Sequence, residues 1–227
     1  QSKDQSYFLH AVPGRDLASA LFPVGGLPKG EVRELARRRG LAVWRKRDST
    51  GICFIGERPF REFLKSYLPA QPGPIESPEG ERLGEHHGLM YYTLGQRAGL
   101  GIGGRKGQPE APWYVAGKDL WRNVLVAVQG HDHPLLLCDS FSTEPAAWVS
   151  GEPPPAGTSL TVKVRYRQAD VPCTLEACPG GGLLVSFGRA ERAVTPGQYA
   201  VFYAGEECLG GAVIVETHGG RAGQTAA

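Results

Sequence analysis

The sequence predicts an α+β protein, with helices toward the N-terminus, short strands after them, and a small closed or nearly closed antiparallel β-barrel at the C-terminal end. Three observations carry this reading. Apolar residues recur at helical spacing in the first 67 residues. Strand-like runs separated by Gly and Pro turns recur from Ile75 onward. The 227 residues include 32 Gly and 18 Pro, which favours many turns and short strands over long helices.

Each element has a local reason. Residues 14–40 read as helical. Leu17, Ala20 and Leu21 sit at helical spacing and Pro23 stops that turn. Pro28 then opens a second helix, with Val32, Leu35 and Ala36 on one face and Gly40 at its end. Pro59 opens a third, in which Phe60, Phe63, Leu64 and Tyr67 form an amphipathic stripe read as core packing. The run from Pro69 to Pro74 breaks the chain. Tyr114 to Ala116 and Val124 to Val128 bracket a turn near Asp119. Pro134 and the loop 151–155 surround a predicted boundary, followed by strands at Leu160 to Tyr166, Cys173 to Ala177, Leu183 to Phe187, Tyr199 to Tyr203 and Leu209 to Val215. On the first of these, alternation puts Lys163, Arg165 and Arg167 on one face and Leu160, Val162, Val164 and Tyr166 on the other. That basic row reads either as a solvated outer face or as a nucleic-acid-binding face. The Gly-rich tail from His218 reads as disordered.

Composition narrows the class. The net charge of +2 neither demands nor excludes a nucleic acid, so charge distribution decides more. Eight Lys or Arg against two acids lie between Lys29 and Arg47. That run reads either as helix-dipole compensation or, since its density exceeds what capping needs, as a phosphate-facing patch. Five cysteines without a CxxC pair argue against a disulfide scaffold and a structural zinc site. No apolar run is long enough to span a membrane and no signal peptide opens the chain, so the expected location is cytoplasmic.

The stretch from Asp48 to Gly56 holds the strongest chemical candidate. It places Cys53 between Gly51 and Gly56, just after the basic run Arg45-Lys46-Arg47. Thiolate is the nucleophilic form of cysteine, and nearby cations stabilise it. Flanking glycines let the backbone bend and a substrate approach. The rival reading is a packed strand cysteine between Ile52 and Phe54.

Other motifs point less sharply. Gly99 to Gly104 fits G-x-G-x-x-G, but Arg105-Lys106-Gly107-Gln108-Pro109 cannot start the helix that a dinucleotide fold needs. It reads as a flexible basic loop. His86-His87 and His131-Asp132-His133 lack the spacing of metal ligands and read as surface or loop histidines, so no metal site is predicted.

Taken together, the motifs resemble the bacterial tRNA-specific 2-thiouridylases. The matching segments are Lys3 to Phe8, Leu21 to Gly25, Asp48 to Gly56, Arg61 to Leu64, Gly84 to His86, Gly88 to Tyr91, Thr93 to Arg97, Gly99 to Gly104, Val164 to Gln168, Thr195 to Gln198 and Cys208 to Gly211. They run in order over nearly the whole chain.

The resemblance implies residues 1–61 as the helical end of a catalytic domain, 62–133 as a small mixed central domain, 134–217 as the barrel and 218–227 as a tail. It implies ATP-dependent sulfur transfer to C2 of the wobble uridine of tRNA. An adenylated uridine would be the intermediate and a persulfide on Cys53 the sulfur carrier. A second cysteine, in the N-terminal domain, would resolve the persulfide. The family's tRNA contacts fall on Lys3, Asp4, Gln5, Arg165, Tyr166 and Gln198. The implied partners are a tRNA anticodon stem-loop and a persulfide sulfur-donor protein, with neither DNA nor membrane. The family's Gly-rich ATP loop and second catalytic cysteine are not among these 227 residues. The expectation is therefore that this chain alone does not activate ATP. Two rival functions are a tRNA-binding module with a structural Cys53 and a dinucleotide-dependent oxidoreductase built on the glycine run.

Overall fold

The computed structural model describes residues 5–46, 69–103 and 111–219. Cys53, Lys3, Asp4, the third predicted helix, the basic end of the glycine run and the tail beyond Gly219 lie outside those residues.

The N-terminal segment is helical only in pieces: a 3-10 turn at Ser6–Leu9, the single turn α1 (Gly14–Leu17), the longer α2 (Lys29–Arg38) and a 3-10 turn at Ala42–Arg45. Residues 18–27 are turns and extended chain rather than the continuation of a helix. Pro28 caps α2, because its fixed φ suits a helix start and its missing N–H leaves no orphan donor. Gly40, at φ +69°, ends it. There the amide of Leu41 donates to the Ala36 carbonyl at 3.0 Å and that of Gly40 to Arg37 at 3.1 Å, the bond pattern of a left-handed helix terminus.

The central region is a four-stranded mixed sheet of β1 (Gly73–Glu76), β2 (Arg82–His86), β3 (Trp113–Asp119) and β4 (Val124–Gln129), in the order β2-β1-β4-β3. β1 runs parallel to β4 with Ile75 opposite Leu125, and the other pairs are antiparallel. Ile75, Tyr92, Val115 and Leu125 fill its core. Leu100 and Ile102 join that core, so the glycine run is pinned at those two side chains. His86 departs from the expected surface position. It is fully buried, its Nε2 donates to the Asn123 carbonyl at 3.0 Å, and its Nδ1 accepts from the Gly88 amide at 3.0 Å. One ring tautomer meets both demands, which makes it a satisfied core histidine.

The C-terminal region is a closed antiparallel barrel with the α+β composition expected. Its strands are β5 (Leu137–Thr143), β6 (Ala147–Trp148), β7 (Leu160–Lys163), β8 (Val171–Ala177), β9 (Leu183–Arg192), β10 (Tyr199–Ala204) and β11 (Glu207–His218). The order β10-β7-β8-β9-β5-β11 closes through β10–β11, and β6 adds to β11. Closure leaves these six strands without a free edge. Phe141, Val162, Val185, Phe202 and Ile214 pack inside. The Pro-rich loop 151–155 joins β6 to β7 within this sheet, and β11 continues to His218, which pairs with Ser140.

The basic row expected on the first barrel strand does not form. β7 stops at Lys163, residues 164–167 make a turn, and Arg167 sits at φ +69°. The side chain of Gln168 accepts the Val164 amide at 2.8 Å, a local bond that competes with the ladder. Arg165 and Arg167 therefore do not share a strand face with Lys163.

Candidate nucleic-acid interface

Residues 6–10 lie against the outer side of β10 and β11. Tyr7 donates its hydroxyl to the Tyr199 carbonyl at 2.9 Å, and Cys208 Sγ donates to the Ser6 carbonyl at 3.7 Å. Ser6 Oγ is 3.3 Å from the Tyr203 hydroxyl. His10 is buried, with Nδ1 donating to the Tyr7 carbonyl at 2.7 Å and its ring 4.7 Å from that of Tyr199. Gly211 makes room for it: a Cβ there would lie 2.6 Å from the His10 ring and 2.8 Å from the Ala200 carbonyl. This second layer explains why β10 is buried at four consecutive residues instead of alternating. Ala200 and Phe202 face the barrel core, and residues 6–10 contact its other side at Tyr199 and Tyr203.

The same docking brings part of the predicted site together. The ring of Tyr166 lies 4.7 Å from Phe8 and 6.1 Å from Tyr7, across a large sequence separation. Gln5 is one turn away, its carbonyl accepting the Phe8 amide at 3.0 Å. Gln198 precedes Tyr199 and holds its own loop through the Thr195 carbonyl and the Ile214 amide. Three of the predicted residues, Gln5, Tyr166 and Gln198, thus border one patch where the N-terminal segment meets the barrel.

Arg165 turns elsewhere. Its guanidinium donates to the Arg192 carbonyl at 2.6 Å. Arg192 in turn donates to the His131 carbonyl at 2.9 Å and stacks over the Tyr114 ring at 4.5 Å. These contacts tie the barrel to the central sheet. Arg192 and the aromatic pair Tyr7–Phe8 escaped the residue-by-residue reading. The only signal for the pair was its place in the Lys3 to Phe8 motif; for Arg192 there was none.

The arginine-rich end of α2 is partly neutralised. Arg37 makes two hydrogen bonds to Glu34, at 2.9 and 2.7 Å, and Arg38 lies 3.9 Å from the same carboxylate. The hydrogen bond from Arg37 holds the Glu34 carboxyl below its usual range.

Two of the described cysteines are poor nucleophiles. Burial pushes the Cys138 thiol up to about 12, helped by Asp139 and Glu191, and burial alone does the same for Cys173. Among the described residues no group of three or more His, Cys, Asp or Glu gathers to hold a metal ion. In the described part of the glycine run, Leu100 is buried and the Gly99 carbonyl accepts from the Tyr92 hydroxyl at 3.4 Å. No helix of the described residues is long and apolar enough to cross a membrane.

This succession of a helical segment, a mixed sheet and a closed barrel matches three family models in order. Residues 1–57 match the tRNA methyl transferase HUP domain, 61–129 the tRNA methyl transferase PRC-barrel domain, and 138–214 the aminomethyltransferase beta-barrel domain. The class is thus a modular one in which a HUP domain is followed by two β-rich domains. Among curated proteins, the tRNA-specific 2-thiouridylase MnmA of Chromohalobacter salexigens is 63% identical over 216 residues, 95% of this chain and 56% of its own length. The enzyme of the same name from Marinobacter nauticus is 58% identical over 95% of this chain and 55% of its own length. That from Ralstonia pickettii is 55% identical over 94% and 58%. The chain belongs to the tRNA-specific 2-thiouridylase family. It spans a little over half the length of these relatives.

Proposed function

We propose that this chain supplies the sulfur-carrying cysteine and part of the tRNA-binding surface of a tRNA-uridine 2-sulfurtransferase acting at C2 of the wobble uridine. One observation carries the reading: 63% identity across 95% of the chain to a tRNA-specific 2-thiouridylase. In this reading residues 1–61 end the catalytic domain, 62–133 form the central domain and 134–217 the barrel. Cys53 holds the transferable sulfur as a persulfide, received from a sulfur-donor protein. That sulfur attacks C2 of the adenylated uridine, the C2–O bond breaks, and AMP leaves. The thiolate of the second cysteine, in the family's N-terminal domain, then attacks Cys53 Sγ. The S–S bond breaks with 2-thiouridine as the leaving group, and a disulfide between the two cysteines remains. Adenylation depends on the family's ATP-binding sequence, which these 227 residues do not include, so this chain by itself does not activate ATP. Lys3, Asp4, Gln5, Arg165, Tyr166 and Gln198 contact the anticodon stem-loop.

The cysteines support the choice of Cys53 by contrast. A persulfide carrier works through its thiolate, and burial disfavours that form at Cys138 and Cys173. Cys53 instead follows three consecutive basic residues. The test is a peptide-mapped mass spectrum after exposure to a persulfide donor. One reductant-labile extra sulfur is expected on Cys53 and none on Cys138 or Cys173. Equal labelling of all five cysteines would overturn the assignment. With the family's ATP-binding sequence supplied, Cys53→Ala is expected to abolish thiolation and retain tRNA binding. A tRNA-binding module with a structural Cys53 would show little effect of the substitution on either.

A further inference from the structure

We propose that Phe8 and Tyr166 form a stacking platform for an unpaired base of the bound RNA, an inference that rests on the tRNA-binding reading above. Phe8 is 56% exposed. That exposure does not come from a loosely held backbone, because its neighbours are tied down on both sides. Ser6 and Tyr7 bond to the barrel, His10 is buried, and Val12 donates to the Leu9 carbonyl at 2.9 Å. The segment therefore holds an apolar ring out to solvent while burying the residue two positions on.

The ring is not isolated. Tyr166, from the turn after β7, approaches it at 4.7 Å with a 47° tilt, and Tyr7 meets it edge-on at 5.4 Å. The guanidinium of Arg167 lies 5.3 Å from the Tyr166 ring. Arg167 adopts a left-handed backbone that few side chains other than Gly, Asn and Asp favour, which places the cation beside the aromatic pair. An exposed ring from the N-terminal segment and a partly buried one from the turn after β7 thus pack together, with a cation next to them. Unpaired RNA bases are bound by stacking on aromatic rings and guanidinium planes, with phosphates drawn by the neighbouring charge. A wholly apolar protein partner would gain nothing from Arg167.

The experiment titrates the 227-residue chain with an anticodon stem-loop RNA and, separately, with a fully paired duplex of equal length. Phe8→Ala is expected to weaken stem-loop binding about tenfold and leave duplex binding unchanged. Phe8→Trp, which keeps a stacking face, is expected to bind as the unsubstituted chain does. Phe8→Leu, which keeps apolar area without a π-face, is expected to fall with Phe8→Ala. Near-ultraviolet circular dichroism and an unchanged duplex affinity show that each variant is folded. Stem-loop binding unaffected by Phe8→Ala would overturn the platform while leaving the tRNA reading intact. Rescue by Phe8→Leu would overturn it too, and would point to a simple apolar contact such as a protein partner makes. An unsubstituted chain that binds neither RNA would remove the tRNA reading and the platform with it.

Discussion

The barrel and the segment from Leu21 to Val43 use apolar residues in opposite ways. In the barrel, Phe141, Val162, Val185 and Phe202 are fully buried, because six strands close on themselves and face one interior. In the helical segment Leu21 is 91% exposed, Phe22, Leu41 and Val43 are more than half exposed, and α2 buries no residue. A closed sheet supplies its own second layer. A ten-residue helix does not, since its stability comes mainly from packing its apolar face. The same side-chain chemistry therefore stabilises one region and contributes little to the other.

Three substitutions would break or sharpen this contrast. The largest effect is expected at Phe202, which packs beside Trp148 with ring centroids 5.6 Å apart. Phe202→Ala is expected to cost about 3–5 kcal/mol, through lost transfer energy and a cavity that the closed barrel cannot collapse. Urea unfolding measures it, and a loss below about 1 kcal/mol would mean that the barrel is not the rigid core described. An intermediate effect is expected at the layer between the two regions. Gly211→Ala drives a methyl group against the His10 ring and the Ala200 carbonyl, at a cost of about 1–3 kcal/mol. Hydrogen exchange should show the amides of Phe8 and Val12 losing protection while the Phe202 amide stays protected. Uniform loss across β10 and β11 would show that residues 6–10 are part of the barrel's own core. The smallest effect is expected at Leu21. Leu21→Ser should change stability by less than about 0.5 kcal/mol, because little apolar area leaves or enters water. A loss comparable to that at Phe202 would place Leu21 in a core that its exposure does not reveal.

Legibility differed in the same way between the regions. The strands were readable because alternation, Gly and Pro turns and β-branched residues all acted locally. Val171–Ala177 and Tyr199–Ala204 fall within two residues of where the pattern put them. β7 was overestimated, since Leu160 to Tyr166 alternates but Gln168 caps the Val164 amide and the chain turns. His86 was misplaced because its two partners, Asn123 and Gly88, are brought to it by sheet packing. On the candidate interface, Gln5, Tyr166 and Gln198 were named only through the family resemblance. Their gathering on one patch, and the diversion of Arg165 to the Arg192 carbonyl, were not visible in the residues.

By itself the sequence determined the α+β class, the family and the succession from a helical segment to short strands to a C-terminal barrel. Those properties rest on composition, on short-range periodicity and on motifs that act within a few residues. Only the tertiary structure decided that the barrel closes through β10 and β11, that residues 6–10 cover its outer side, and that Phe8 meets Tyr166. Each of these joins residues far apart in the chain. Such contacts depend on which surfaces are left unfilled once the local elements have formed, and no local pattern encodes that.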